Sequence, residues 1–245
     1  MRKPFVAVCL ITYNHAKYIR EAIDSVLAQQ TNFAWELVIA DDCSTDGTRE
    51  ILQEYQEQYS DRIKLILQKK NVGAEQNWLD LINYPKAKYM AYLEGDDYWT
   101  NPNKLQLQVD FLEEHPDYAL CFHPTRVFYE SGQSYETVWP NLGDDPDLSI
   151  EALLRENFIP SNSVVYRRQR YDQLPRGVMP GDWYLHAYQA QFGKMGYIPE
   201  VMSAYRRHEG GAWWDWHENP EALWTRHGSH ANPTRPRLHV GIPPA

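Results

Sequence analysis

The chain has 245 residues, with 24 Lys and Arg against 33 Asp and Glu, so its formal net charge is −9. This acidic balance argues against a general nucleic-acid binder, which usually carries a basic excess. The apolar fraction of 43 % is enough for a sizeable core, and no apolar run approaches the roughly 20 residues of a membrane-spanning helix. The 3 cysteines are an odd number at wide spacing, so they predict neither a disulfide framework nor a zinc site and fit a reducing cytoplasm.

Strand and helix patterns alternate over the first 115 residues. Short apolar runs predict buried strands over Val6–Thr12, Trp35–Ala40 and Ile63–Leu67, and a fourth strand that begins at Lys88 and ends at the acidic run Glu94–Asp97. Apolar residues at helical spacing predict a helix through Tyr18–Leu27, with Asn14 as its N-cap, and helices over Thr48–Tyr59, Ala74–Ile82 and Lys104–Glu114. This alternation favours an α/β fold with a mostly parallel, doubly wound sheet.

The pattern changes after Asp117. We predict strands over Tyr118–Tyr129 and Tyr135–Trp139, and helices over Leu148–Glu156, Arg168–Gln173 and Asp182–Gln191. We interpret this part as the second half of the same domain, which covers one edge of the sheet. Residues 226–245 contain three Arg and four Pro but no acidic residue, which is typical of a flexible tail.

Acidic residues follow two of the predicted strands. Asp41 and Asp42 come after the second strand, and Glu94, Asp96 and Asp97 end the fourth. In an open α/β sheet, ligands bind at the carboxyl ends of the strands. Three carboxylates within four residues repel one another unless a cation is present, and hard divalent ions prefer oxygen ligands. On chemistry alone, a metal site and a solvated acidic turn are equal alternatives.

Seven motifs in order give the sequence a resemblance to the family 2 glycosyltransferases. The resemblance covers about Pro4 to Trp214 and is carried by the segments VAVCLITYNHAKYIREAIDSVLAQ, ELVIADDCSTDGT, KNVGAEQNW, YMAYLEGDDYW, FIPSNSVVYRR, GDWYLH and AYRRHEGGAW. It implies the GT-A fold, a Rossmann-like and mostly parallel central sheet flanked by helices. It also implies one domain over residues 1–225, in which residues 1–115 bind the nucleotide sugar and residues 116–225 bind the acceptor.

The resemblance implies a non-processive enzyme that transfers one sugar with inversion at the anomeric carbon. The donor is a nucleotide diphospho-sugar, with a UDP-sugar favoured, and the acceptor is a carbohydrate or a lipid-linked glycan. Synthesis of a bacterial cell-surface glycan in the cytoplasm, with peripheral contact at the inner face of the membrane, is the expected setting. No nucleic-acid partner is implied, and the oligomeric state is left open.

Donor-binding residues are carried over from the matching motifs. They are expected to be Thr12, Tyr13, Asn14, Asp41, Asp42, Asn71, Gly73, Glu94, Asp96 and Arg207. Of the two neighbouring aspartates, Asp42 is favoured as the acceptor of the base imide N–H, whereas Asp41 has a capping or orienting role as its alternative. Asn71 and Gly73 also fit a plain turn before a helix.

The resemblance further implies a divalent metal and a catalytic base. The candidate ligands of Mn²⁺ or Mg²⁺ are Asp96, Asp97 and His208, and which acid of the Glu94–Asp97 cluster holds the metal is left open. Asp182 is the expected base that takes the proton of the acceptor hydroxyl. From the residues alone, Asp182 also fits the start of a helix. The basic segment that ends at His208 also fits a solvated loop.

Other functional classes compete with this prediction. A non-catalytic or truncated glycan- or nucleotide-binding protein on the same fold is the main alternative, because Gly181 and Glu94 depart from the family pattern. A nucleotidyltransferase also uses acids and a divalent ion, but the segment ITYNHAKY is not a Gly-rich phosphate loop. A glycoside hydrolase pairs two carboxylates without needing a metal, and it does not account for the nucleotide-side motifs.

Overall fold

The computed structural model describes residues 4–131, 136–143, 146–178 and 181–211. The predicted tail at 226–245 lies outside these residues. In chain order the elements are β1 (Val6–Thr12), α1 (Ile19–Leu27), β2 (Trp35–Asp41), α2 (Thr48–Gln58), β3 (Ile63–Leu67), α3 (Ala74–Asn83), β4 (Tyr89–Glu94), β5 (Tyr98–Trp99), α4 (Lys104–Glu114), β6 (Tyr118–Phe122), β7 (Thr125–Tyr129), β8 (Thr137–Trp139), α5 (Ile150–Arg155), a 3₁₀ turn (Ser161–Ser163), β9 (Val165–Arg167), α6 (Gly181–Ala190), β10 (Lys194–Tyr197) and β11 (Ser203–Arg207).

A seven-stranded sheet forms the centre of the fold. Its strand order is β10-β6-β9-β4-β1-β2-β3. β1 pairs in parallel with β2 and β4, and β9 runs antiparallel to both of its neighbours. The predicted mostly parallel α/β sheet is therefore confirmed. None of the helices in the described ranges is long and apolar enough to cross a bilayer.

A second sheet of four strands has the order β5-β11-β7-β8. The single strand predicted over Tyr118–Tyr129 is wrong, since β6 belongs to the large sheet and β7 to the small one. Pro124 lies between the two strands and has no N–H for a continuous ladder. In this way the chain crosses from one sheet to the other.

Apolar side chains fill one layer on each face of the large sheet. Along β1, Val8 and Leu10 face the layer that packs on α1, α2 and α4, whereas Cys9 faces the layer that packs on α3, α5 and α6. These side chains are fully buried, as expected for a strand that helices cover on both sides.

Two local predictions are wrong. Asn14 does not cap α1, which begins at Ile19; its φ of +56° turns the chain instead, and its side chain accepts a hydrogen bond from the Thr45 N–H. The helix predicted over Arg168–Gln173 is absent. That segment is a loop after β9 in which the Tyr171 ring is buried in the core, so tertiary packing overrides the helical pattern.

Candidate functional site

The ends of three neighbouring strands form the carboxyl edge where the predicted site lies. In the ladders of β1, Thr12 is paired with Asp41 and Ile11 with Glu94. The loops that follow β1, β2 and β4 therefore begin side by side, as the positions of the acidic residues predicted.

Asp41 and Asp42 have different surroundings. Asp41 is fully buried, and its Oδ2 accepts from Arg49 Nη2 at 2.7 Å, which ties β2 to α2. Asp42 accepts the backbone N–H groups of Val72 at 2.7 Å and Gly73 at 3.0 Å. Burial raises the pKa of Asp42, and these two hydrogen bonds oppose the rise. Asp41 therefore has an anchoring role, and Asp42 is the aspartate that faces the turn before α3.

Gly73 and Cys43, which flank the Asp42 contacts, both have positive backbone φ angles. Gly73 has a φ of +87°, which suits a residue without Cβ at the start of α3. Cys43 has a φ of +62° although it is not glycine, so the turn after Asp42 carries strain of about 1–2 kcal/mol.

The loop after β1 presents three of the predicted donor-binding residues. Thr12 is buried, and its Oγ1 has no hydrogen-bond partner among the described residues. Tyr13 is 45 % exposed. The Asn14 N–H donates to Ser44 Oγ at 2.8 Å, which joins this loop to the one after β2. Asn71, also exposed, uses its Oδ1 to accept from the Gly73 N–H.

The loop after β4 brings Asp96 against His208. Asp96 Oδ2 lies 3.1 Å from His208 Nε2 and 3.8 Å from His15 Nε2. Its Oδ1 is buried and has no partner among the described residues. Asp97 faces β11 and the 3₁₀ turn: one of its oxygens accepts from Arg206 N at 2.9 Å and the other from Asn162 Nδ2 at 2.8 Å. Both oxygens of Asp97 thus have protein partners, whereas Asp96 keeps one oxygen without a partner among the described residues.

The three acids of this loop have different electrostatic surroundings. Burial, with repulsion from Asp96 and Asp182, raises the pKa of Glu94 to about 8. Burial together with Asp96 and Glu94 also raises the pKa of Asp97 well above its usual value. Burial also acts to raise the pKa of Asp96. The attraction of His15 and the hydrogen bond with His208 outweigh burial, so the pKa of Asp96 is lowered. Asp96 is therefore the acid of the loop whose surroundings favour the ionised form.

The side chains of Asp96 and His208 offer an oxygen and a nitrogen donor to a divalent metal. Over the described ranges, no three His, Cys, Asp or Glu side chains form a group that holds a metal ion on its own. Mg²⁺ and Mn²⁺ commonly take one or two carboxylates and complete their shell with substrate phosphates and water. A carboxylate with an unpartnered buried oxygen beside an imidazole nitrogen fits such an ion.

Asp182 lies in the first turn of α6, and its carboxylate is close enough to Glu94 to raise the pKa of that residue. Its Oδ2 accepts from Asn157 Nδ2 at 3.4 Å, and burial raises its pKa. His186, one turn later, is buried with its Nδ1 2.6 Å from the Tyr166 hydroxyl. Burial lowers the pKa of His186 to about 3, so the ring is neutral at pH 7.

Arg206 and Arg207 extend from β11 in different directions. Arg206 donates from Nε to the Asp96 carbonyl at 3.0 Å, and its guanidinium lies 4.9 Å from the centre of the Tyr18 ring. Arg207 donates to the Tyr129 hydroxyl at 2.7 Å, and its Nε is buried without a partner among the described residues. Arg206, rather than the predicted Arg207, contacts the acidic loop.

Sequence reasoning missed two residues beside Asp96. His15 faces the carboxylate, and its Nδ1 is buried without a partner in the described part of the chain. Tyr18 packs its ring on His208 with centroids 4.6 Å apart. The only sequence signal for either residue is its place in the segment that follows β1. On this side of His208 an open cleft of about 370 Å³ is lined by Lys17, Tyr18, Glu130, Ser131, His208, Glu209 and Gly210.

Comparison with known sequences agrees with the resemblance seen in the motifs. The family model described as "Glycosyl transferase family 2" matches residues 7–208. An uncharacterised protein of Mycobacterium tuberculosis, Rv1520, is 45 % identical over 224 residues, which are 91 % of this chain and 64 % of that protein. A Bacillus subtilis protein described as the teichuronic acid biosynthesis glycosyltransferase TuaG is 40 % identical over 112 residues, which are 46 % of this chain and 43 % of that one. The chain thus spans less than two thirds of the length of these relatives.

Solved structures share the fold at low sequence identity. Staphylococcus aureus TarS 1–349 in complex with UDP matches 84 % of this chain and 60 % of its own, with a TM-score of 0.62 and 20 % identity. The mannosyltransferase PcManGT from Pyrobaculum calidifontis, in complex with GDP-Man and Mn²⁺, matches 92 % of this chain and 64 % of its own, with a TM-score of 0.66 and 16 % identity. At such identities the likeness establishes the fold alone.

Proposed function

Because the chain belongs to glycosyl transferase family 2 and has the GT-A fold, we propose that it is a metal-dependent, inverting glycosyltransferase. It moves one sugar from a nucleotide diphospho-sugar to an acceptor hydroxyl. The observation that carries the proposal is the pairing of Asp96 and His208, 3.1 Å apart at the carboxyl edge of the sheet. Residues 1–115 supply the donor half of the domain, and residues 116–225 supply the acceptor half.

The nucleotide binds across the ends of β1 and β2. Asp42 accepts from the base, since each carboxylate oxygen that already takes one backbone N–H keeps a second lone pair. The remaining contacts come from Thr12, Tyr13, Asn14, Asn71 and Gly73, with Glu94 toward the ribose. Arg206, which contacts the acidic loop, takes the place of the predicted Arg207 toward the diphosphate. A UDP-sugar is the favoured donor, supported by the UDP complex of TarS.

Asp96 and His208 hold Mn²⁺ or Mg²⁺ on the diphosphate. When bound, the ion neutralises the charge that develops on the departing nucleoside diphosphate. The Mn²⁺ in the mannosyltransferase complex supports this assignment. Asp96 suits the role because its Oδ1 has no partner among the described residues and because its lowered pKa keeps it ionised.

Asp182 takes the proton of the acceptor hydroxyl as the sugar is transferred. Burial raises the pKa of Asp182 toward neutral pH, and a carboxylate with a higher pKa is a stronger base. The acceptor is a carbohydrate or a lipid-linked glycan of the bacterial cell surface, supported by the teichuronic acid relative. The reaction takes place in the cytoplasm, with peripheral contact at the membrane, and involves no nucleic acid.

The test is nucleotide release from UDP-sugars in Mn²⁺ by wild-type protein and by Asp182→Asn. We expect the variant to lose about 10²–10⁴-fold in turnover while it binds the donor as well as the wild type does. Glu151→Gln is the matched control, because Glu151 is an exposed acid in the first turn of α5. Full turnover by Asp182→Asn contradicts its role as base. Donor binding without release by the wild type favours a non-catalytic binding protein on this fold.

A further inference from the structure

The two side chains that pair at the proposed metal site come from distant parts of the chain. Asp96 lies in the loop between β4 and β5, whereas His208 directly follows β11 of the four-stranded sheet. The two residues are 112 positions apart in the chain. The β5–β11 ladder, which pairs Tyr98 with Ala204, brings the two segments together. A side-chain contact beside this ladder must then fix the 3.1 Å separation of Asp96 Oδ2 and His208 Nε2.

Asp97 supplies one half of that contact. It is 1 % exposed, and its Oδ1 accepts the backbone N–H of Arg206 at 2.9 Å. Arg206 is two residues before His208, so this bond ties β11 to the acidic loop. Because Asp97 is buried, loss of this bond would leave a buried carboxyl oxygen without a partner, so the bond is a strong local restraint.

Asn162 supplies the other half from the 3₁₀ turn. It is also 1 % exposed, and its Nδ2 donates to Asp97 Oδ2 at 2.8 Å. Its Oδ1 accepts from Ser203 Oγ at 3.0 Å, at the start of β11. Its backbone carbonyl accepts from Trp99 Nε1 at 2.9 Å, in β5. The buried side chain of Asn162 and its own carbonyl thus tie the acidic loop to the paired strands β5 and β11.

We propose that Asn162 is a positioning residue of the metal site, and this inference rests on the proposed function. Through Asp97 it fixes the carboxylate of Asp96 against the imidazole of His208, and so it sets the affinity for Mn²⁺ without touching the ion. Asp97 acts in the same way, as the link between Asn162 and β11 rather than as a ligand. Outer partners that orient metal ligands typically change metal affinity by about 10–100-fold when they are lost.

An exchange of the two side chains tests the proposal. Asn162→Asp sets two carboxylates against each other, and Asp97→Asn sets two amides against each other. The double variant Asp97→Asn with Asn162→Asp restores the pattern, because the amide at position 97 accepts from Arg206 N and donates to the carboxylate at position 162. That carboxylate still accepts from Ser203. If Asp97 is itself a ligand, the exchange removes a charged oxygen from the ion and restores nothing.

The readout is the dissociation constant for Mn²⁺ alone, measured from the electron paramagnetic resonance signal of the free ion. We expect each single variant to raise that constant by at least about tenfold and the double variant to return to within about threefold of the wild type. A double variant as weak as Asp97→Asn overturns the proposal, and so does an Asn162→Asp variant with wild-type affinity. No Mn²⁺ binding by the wild type, either alone or in the presence of UDP, is the separate result that overturns the proposed function as well.

A buried amide next to Asn162 provides the control for stability. Gln108 is fully buried and donates to the Ser163 carbonyl at 2.8 Å, but no hydrogen bond connects it with Asp97. Gln108→Leu is expected to lower the melting temperature and to leave the Mn²⁺ constant unchanged. If Gln108→Leu weakens Mn²⁺ binding as much as Asn162→Asp does at an equal loss of melting temperature, the effect of Asn162 is general destabilisation and the proposal fails.

Discussion

At the scale of single residues, the site depends on the close approach of Gly95 to the loop after β1. A Cβ added to Gly95 would lie 2.8 Å from Thr12 Oγ1 and 2.8 Å from His15 Nδ1. Both of these atoms are buried and have no hydrogen-bond partner in the described ranges. Their placement beside the acidic loop therefore depends on packing, which an added methyl group disturbs.

Gly95→Ala is expected to lower turnover by about 100-fold, because a displacement of about 1 Å in a positioned group costs that much. The measurement is nucleotide release from the preferred donor in Mn²⁺. Gly143→Ala is the matched control, since a Cβ at that position meets nothing within 4 Å. Wild-type turnover by Gly95→Ala contradicts the packing argument.

Short motifs were enough to predict Asp96 and His208 as partners, and the structure brings them together. Asn162 was not predicted, because its bond with Asp97 spans 65 positions and leaves no local pattern. Asp97 was grouped with Asp96 as a ligand, since two neighbouring acids look alike in a sequence. Only the surroundings, a backbone N–H on one oxygen and an amide on the other, distinguish them.

At the scale of elements, α4 contains a buried cation. Lys104 is 0 % exposed, with its Nζ 2.7 Å from Gln108 Oε1 and 4.2 Å from the centre of the Trp99 ring. Burial lowers the pKa of Lys104 from 10.5 to about 7. Below the lowered value the folded protein must carry a buried charge, which is costly when no carboxylate compensates it.

Lys104→Met tests this cost through its dependence on pH. The folded-state pKa is below the unfolded value, so between about pH 7 and pH 10.5 the unfolded chain binds the extra proton and wild-type stability rises with pH. The gain in stability of Lys104→Met over the wild type is expected to be largest at pH 7 and below. Its advantage shrinks by up to about 1.4 kcal/mol per pH unit toward pH 10.5.

Urea unfolding of wild type and variant from pH 6 to about pH 10 measures that difference. Lys86→Met, at an exposed position between α3 and β4, controls for the loss of one charge. A difference between Lys104→Met and wild type that does not change with pH contradicts the lowered pKa of Lys104.

Apart from the two-residue β5, the strands and helices before Asp117 were predictable because each apolar run there is a complete β or α pattern, as in β1 and α4. The second half was harder, since its elements depend on contacts far along the chain. β9 has only three residues and pairs with β4 and β6 on either side. Its neighbour Tyr171 enters the core from a loop, which a helical pattern does not foresee.

At the scale of the whole molecule, the proposed site lies where two sheets meet. The large sheet supplies the strand ends with Asp42 and the acidic loop, and the small sheet supplies β11, which leads to His208. Arg206 contacts the Asp96 carbonyl across 110 positions of sequence. The order of motifs predicted the family and the fold, but the sequence contained no sign of a second sheet that joins the two metal-binding side chains.

The most direct test of the central claim is the melting temperature of wild-type protein and Asp96→Asn with UDP-, GDP- and dTDP-sugars, in Mn²⁺ and in a chelator. A ligand at 100 times its dissociation constant stabilises the folded state by about 2.7 kcal/mol, or about 5–10 °C for a chain of this size. We predict such a rise for one nucleotide in Mn²⁺, lost in chelator and lost in Asp96→Asn. An equal rise in chelator and in the variant, or no rise with any nucleotide in folded protein, contradicts a metal-dependent donor site at Asp96 and His208.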